Sequence, residues 1–349
     1  MIQRRQFIGS VAAFCTLTGA NNSSFGSDVE RVLHWPCDVI QTPPTNYGNK
    51  PPVVTGVSLQ PGGDQIAIVG DDHFVCIFDT LENRFIRNLG DHTDWVRTTM
   101  FSPDGKHLAT AGNDRKLKVW ATDDFDGEPK IFKHDHAIID IDFDAKSNLV
   151  ATVGFNHELR IYDLESNQID RKFRCHCPDN HAVAFSTDGS LVAAGGRSGK
   201  IRVWETESGK LMAEVNAHRQ RVRSIQFSKN ETIVSCGDDQ IVKITNVAEP
   251  NLIKSLPRHS SKLFAVQLLN ENLVATAGSD NRIHVWGMND GSEIGTLKGH
   301  TGTVACLDFR ENQLASGSFD TQVRIWKFEN ELDPAGRQTQ LFNHWNRKS

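Results

Sequence analysis

From residue 53 onward the chain alternates apolar and polar residues in short runs, each closed by a turn. Trp95–Phe101, His107–Ala111 and Leu117–Trp120 make one set of three, and Lys130–Lys133 follows as a fourth. Alternation at period two sends successive side chains to opposite faces of an extended strand, and nowhere is a helical period sustained. Pro103-Asp104-Gly105 separates the first two runs, as Thr187-Asp188-Gly189 and Pro61-Gly62-Gly63 do in other sets. Glycine there accepts positive φ, and aspartate can hydrogen-bond its own turn. The pattern predicts an all-β protein built from sets of three short strands with room for a fourth.

The sets recur. Residues ending a β-branched run fall at Phe78, Trp120, Tyr162, Trp204, Thr245, Trp286 and Trp326, with spacings of 42, 42, 42, 41, 41 and 40. Upstream histidines at His92, His134, His176, His218, His259 and His300 keep spacings of 42, 42, 42, 41 and 41. A lone four-stranded sheet has two faces to bury. Seven of them packed radially would cover both faces of each, which also explains how a long chain avoids one oversized core.

These units resemble WD40 repeats, over about residues 53–327. The resemblance implies a seven-bladed β-propeller of four-stranded antiparallel blades, with a buried His, Ser/Thr, Asp and Trp network in each blade. The second unit supplies His92, Thr110, Asp114 and Trp120, the sixth His259, Thr276, Asp280 and Trp286, and the seventh His300, Ser316, Asp320 and Trp326. The fifth keeps His218, Ser235 and Asp239, with Thr245 in place of the indole. The third pairs His134 and Thr152 with Asn156 and Tyr162. The fourth has His176 and Trp204 but Ala194 and Ser198, and the first has Asp72 but Lys50 and Ile68. Units one, three and four are therefore expected to rest mainly on packing.

A Ser, a His and an Asp in one unit invite a hydrolase reading. Repetition argues against it, because catalysis needs one activated nucleophile rather than a ring of copies. Cys175-His176-Cys177 with nearby His181 has metal-ligand residue types, but the spacing is tighter than a structural zinc site uses. No metal or cofactor is expected. Cys76, Cys236 and Cys306 fall in predicted strands as small core residues. No regular disulfide framework is legible, although oxidation of Cys37 or of the Cys175/Cys177 pair would be compatible with export.

The 38 basic and 43 acidic residues leave a net charge of −5, and hydrophobic residues make up 38%. That composition excludes a disordered chain and a multi-span membrane protein, and it gives no general pull toward nucleic acid. Residues 1–20 carry Arg4-Arg5-Gln6-Phe7-Ile8 and an uncharged stretch too short to span a bilayer. They resemble a twin-arginine export signal, implying a bacterial periplasmic or cell-envelope protein, with a cytoplasmic location as the alternative. Residues 21–52 form a proline-rich linker, and residues 328–349 a tail. The last blade needs an outer strand, expected near residues 30–34 in preference to the tail at 336–342.

The resemblance also implies that partners bind one rim, through residues at the start of each innermost strand and just before the turn aspartate. Those positions give Trp95, Arg97, Phe155, His181, Arg197, Arg221, Arg223, Lys262, Phe264 and Phe319. Arginine beside exposed aromatics suits a protein interface. The expected function is a non-catalytic scaffold that binds a protein or an acidic or mixed peptide. A propeller enzyme or ligand- or metal-binding protein acting at the central channel mouth is the alternative. Its carboxylates there, Asp71, Asp179 and Asp238, are scattered along the sequence rather than paired.

Overall fold

A computed structural model describes residues 31–43 and 51–328. Residues 1–20, read above as an export signal, most of the 21–52 linker and the tail beyond Phe328 lie outside them, as does Lys50. Seven four-stranded antiparallel sheets follow one another, with no helix among the described residues. The blades are numbered one to seven, and their innermost strands are Val54–Leu59, Val96–Phe101, Ile138–Phe143, Asn180–Phe185, Val222–Ser228, Leu263–Leu268 and Val304–Arg310.

The apolar residues gather into seven clusters, each shared by two neighbouring blades. Val119 and Phe132 of blade two meet Ile138 and Tyr162 of blade three. Ile40, Ala315 and Ile325 of blade seven meet Val54, Ile66 and Phe78 of blade one, which closes the ring. Alternation explains the partition: successive residues of one strand face opposite seams, so Val75 and Ile77 join the cluster with blade two while Cys76 and Phe78 join that with blade seven.

The outer strand of blade seven comes from the amino-terminal side, but later than the expected 30–34. Cys37–Gln41 pairs antiparallel with Gln322–Lys327, Cys37 opposite Trp326 and Gln41 opposite Gln322. The segment at 31–33 instead docks parallel on the outer strand of blade six. Leu33 N donates to Thr296 O at 2.7 Å, and Thr296 N donates to Arg31 O at 2.8 Å. Leu33 joins the seam between blades six and seven. The apolar residue that sequence favours as a strand centre is thus used to seal a seam, and the chain then crosses to complete blade seven. Gly295 permits this, since a Cβ there would lie 2.7 Å from Arg31 O and 2.8 Å from Leu33 Cγ.

Blades two, five and seven hold the same polar chain. His92 Nδ1 lies 2.9 Å from Asp114 Oδ2 and its Nε2 2.8 Å from Thr110 Oγ1. His218 makes the matching contacts to Asp239 and Ser235, both at 2.9 Å. His300 reaches Asp320 at 2.9 Å and Ser316 at 2.8 Å, and Trp326 Nε1 donates to Ser316 Oγ at 2.9 Å. Trp120 is buried in the seam with blade one, and Thr245 is buried in blade five. Burial works against charge on Asp114, Asp239 and Asp320, but their histidine and backbone hydrogen bonds outweigh it and hold each pKa below the ordinary value.

The other blades differ. In blade six Asp280 Oδ2 turns to His284 Nε2 at 2.9 Å, and His284 Nδ1 meets Glu293 Oε1 at 2.7 Å. His259 keeps a long 3.5 Å contact to Thr276, which also accepts Trp286 Nε1 at 3.1 Å. Burial and the neighbouring His284 push the His259 pKa down to about 4, so a neutral imidazole yields the aspartate to a second histidine that has two acidic neighbours. In blade three the Tyr162 hydroxyl sits 2.6 Å from His134 Nε2, and Asn156 Oδ1 accepts Glu158 N at 3.4 Å. In blade four His176 lies exposed 4.0 Å from Glu214, and Phe173 stacks on Trp204. In blade one Asp72 accepts only a local bond from Phe74 N, at 3.3 Å.

A further set of polar bonds crosses the seams near the channel. At one register position on the innermost strands, Ser58, Asp142, Gln226 and Asp308 accept from the next blade's backbone. The donors are Phe101 N (3.0 Å), Phe185 N (2.6 Å), Leu268 N (2.7 Å) and Leu59 N (2.7 Å) respectively. Asp140 also accepts Val183 N, at 3.0 Å. Burial pushes Asp140 up to about 8 and Asp142 up to about 7. Each is opposed by its backbone donors and raised by a neighbouring aspartate, and Arg310 lowers Asp142.

Three outcomes test this account. Gly295→Val should lower unfolding free energy in a urea titration by about 1–3 kcal/mol, because the new side chain displaces the segment docked on blade six. Asp114→Ala should cost about 1–3 kcal/mol in the same assay by leaving His92 and two backbone amides unpaired. The raised pKa values of Asp140 and Asp142 mean the folded state binds more protons than the unfolded one between about pH 4 and pH 8. Their contribution to stability is therefore full below pH 4 and lost as pH rises through that window. Melting curves of the Asp140→Asn/Asp142→Asn variant should decline less between pH 5 and pH 8 than those of the parent.

Candidate interaction face at the channel mouth

Each innermost strand begins with an irregular pairing, after which the neighbouring strand's exit bonds back to the same point. Asn113 N donates to Trp95 O, Phe155 N to Ala137 O, Arg197 N to Asp179 O, Asp238 N to Arg221 O, Ser279 N to Lys262 O and Phe319 N to Thr303 O. The repeated bond places all the candidate rim residues at the same end of their blades. Trp95, Phe155 and Phe319 are 43%, 44% and 47% exposed, which is unusual for large aromatics in a chain that buries most others.

The basic residues divide into two kinds. Arg221 Nη2 donates to Asp179 Oδ2 at 2.8 Å, across from blade five to blade four. Arg223 makes a forked pair with Asp238, at 2.8 and 3.2 Å, and lies over the Phe264 ring with its Cζ 4.9 Å from the centroid. Both arginines are thus neutralised within the fold. Arg97 is different. Its Nε donates to the neutral Asn113 Oδ1 at 2.9 Å, and its Cζ sits 5.0 Å above the Trp95 ring. Among the described residues no carboxylate lies in salt-bridge contact with it, and burial lowers its pKa against a smaller opposing pull from Asp94. Arg197 and Lys262 are exposed.

His181 Nε2 lies 2.7 Å from Asp179 Oδ1, a close approach without hydrogen-bond alignment, and its ring meets Phe155 edge-on. Burial pushes the His181 pKa down to about 4. Asp179 opposes that shift, while Arg223 and Arg221 add to it. The mouth carboxylates are committed: Asp71 accepts Val53 N at 2.8 Å, while Asp179 and Asp238 hold arginines. Among the described residues no three His, Cys, Asp or Glu side chains gather as metal ligands, and no helix is long and apolar enough to cross a membrane. Cys175 is buried and Cys177 Sγ points to Asp179 O at 3.4 Å, each a free thiol.

Sequence reasoning missed the carboxylate partners of Arg221 and Arg223 and the channel aspartates. The latter carried a signal: residues 58, 100, 142, 184, 226, 267 and 308 repeat with the same 42- or 41-residue period as the histidines.

Comparison with known proteins agrees with this architecture. Part of the chain is similar to the mitochondrial division protein 1 of Schizosaccharomyces pombe, 35% identical over 83 residues, which cover 24% of this chain and 13% of that protein. Similarity to its Pyricularia oryzae counterpart is 41% over 64 residues, or 18% of this chain and 10% of that protein. Similarity to the THO complex subunit 6 homolog of Danio rerio is 38% over 80 residues, or 22% and 24% of the two chains. The matched stretches span a quarter or less of each relative's length. These relatives are eukaryotic, and that overturns the reading of a bacterial protein of the periplasm or cell envelope. The family described as IFT122 first beta-propeller matches residues 53–286, and the WD domain, G-beta repeat matches residues 291–327. With seven closed blades and these matches running nearly end to end through them, the chain belongs to the WD40-repeat β-propeller family.

Proposed function

We propose that the protein is a non-catalytic scaffold that holds a protein or peptide partner on the channel-mouth face. The carrying observation is the pairing of exposed Trp95 with Arg97, a half-buried guanidinium lacking a carboxylate. Trp and Arg are enriched among residues that dominate binding energy, and a partly desolvated cation gains most from a matching anion. Phe155 and Phe319 offer further apolar area on the same face. A partner with an acidic residue flanked by apolar ones suits this arrangement, with Arg197 and Lys262 adding long-range attraction. Arg221 and Arg223 contribute less to such attraction because Asp179 and Asp238 cancel their charge.

The relatives named for mitochondrial division and for the THO complex are consistent with a role in assembly rather than turnover. Affinity capture from the cells of origin, followed by mass spectrometry, tests the face. Trp95→Ala and Arg97→Ala should each reduce the captured partner at least tenfold. Leu252→Ser, at an exposed turn of blade five, should leave capture intact. Full retention by both mouth variants would remove this reading.

A further inference from the structure

A second feature of blade two lies at the turn between its second and third strands and the end of its outermost strand. Asp114, Arg115, Lys116, Lys133, His134 and Asp135 line a cavity of about 410 Å3, within the ~300–1,000 Å3 range of ligand clefts. Lys116 and Lys133 stand directly opposite each other on paired strands. Like charges in that register repel. Among the described residues no carboxylate pairs with Arg115, Lys116 or Lys133. The two acids in the lining already have partners: Asp114 holds His92 at 2.9 Å and accepts Lys116 N at 3.1 Å, and Asp135 accepts Arg160 Nη2 at 2.7 Å.

Other blades show that the fold does not require this arrangement. Blade three places Glu158 opposite Arg174 at the same register position, and in blade four Lys200 Nζ meets Glu214 at 2.6 Å. Arg115 supplies the third cation from the adjoining turn. Its backbone is left-handed, at φ 64°, as it is at His73, Gly199, Gln240, Asn281 and Thr321 in other blades. Three cations thus stand together around one cleft. Burial and the nearby Arg160 push His134 down to about 3, so the imidazole adds no charge of its own.

We propose that this cleft binds a phosphorylated side chain on an extended segment of a protein partner. A phosphate dianion offers three acceptor oxygens to three cations and relieves the Lys116–Lys133 repulsion. The cavity leaves room for residues flanking the phosphate. No Phe, Tyr or Trp lines it, so a nucleotide base has no ring to stack on.

The test uses the full chain and a fluorescein-labelled six-residue peptide with one central phosphoserine, followed by polarisation at low ionic strength. Saturable binding is expected, at least tenfold weaker for the unphosphorylated peptide and for Lys116→Gln/Lys133→Gln. The same double variant should melt at a higher temperature than the parent, since the repulsion is gone. A binding loss paired with a stability gain separates a ligand site from a structural one. Arg115→Gly, which fits the left-handed turn, should also weaken binding at least tenfold. Equal affinity for the unphosphorylated peptide, or unchanged binding by both variants, would overturn the proposal. So would a lower melting temperature for the double variant. Inorganic phosphate competing at the peptide's own affinity would overturn the assignment to a phosphorylated segment.

Discussion

A four-stranded sheet with apolar side chains on both faces has no stable existence by itself, and the whole architecture follows from covering those faces. Each strand sends alternate residues to opposite seams, so every blade is half of two cores. Burial on this plan is collective: a blade cannot loosen without exposing surface on both neighbours. The ring therefore needs closure, and closure by a strand from the other end of the chain ties blade seven together across almost the whole sequence. The extra docking of residues 31–33 on blade six means that the closing segment bridges two blades. Its release would expose the Leu33 seam as well as an unpaired strand edge.

Polar groups buried in such a ring must be satisfied locally, and two repeating devices do so. The His–Asp–hydroxyl chain pins the turn between strands within a blade, while the Ser, Asp or Gln on the innermost strand captures an amide of the next blade. The second device is incomplete. Met100 and Ala184 occupy the same register position and offer no side-chain oxygen. At the seam that Ala184 faces, the apolar cluster is the largest of the seven, with 14 buried residues against 11 at the seam between blades three and four. The seam that Ala184 faces thus has extra packing where it lacks the bond, whereas the seam that Met100 faces has 11 buried residues, no more than the bonded seam between blades three and four.

Much of this was legible in the residues because the structural constraints repeat. The period of the terminal aromatics predicted seven blades, and the turn triplets placed the strand boundaries of blades one, two and four. What could not be read was whatever depended on a non-repeating partner. The closing strand was displaced from 30–34 to Cys37–Gln41 because nothing in its composition distinguishes a seam filler such as Leu33 from a strand residue. Asp280 left His259 for His284, a histidine that belongs to no repeating set. Arg221 and Arg223 read as free cations, because period and spacing do not show side-chain pairing: Asp179 lies 42 residues from Arg221, and Asp238 lies 15 from Arg223.

That contrast is also a guide to function. In a repeat protein the fold explains any residue type that recurs at one register position, so residues that break the pattern without a structural reason carry the most information. Arg97 has a neutral partner where Arg223, at the equivalent position, has a carboxylate. Trp95 is exposed where the equivalent Ala137 and Thr303 have little surface to offer. A cation left partly desolvated and an indole left in water both raise the free energy of the isolated protein. Within the fold the guanidinium lies over the indole and bonds Asn113, so the two side chains offset part of that cost for each other. Both sit on blade two, the blade whose own His–Asp pair is the most deeply buried of the three. The pinned turn between Asn113 and Asp114 steadies Arg97 directly, through the Asn113 side-chain amide, and that rigidity is what the proposed docking of a partner on this face would require.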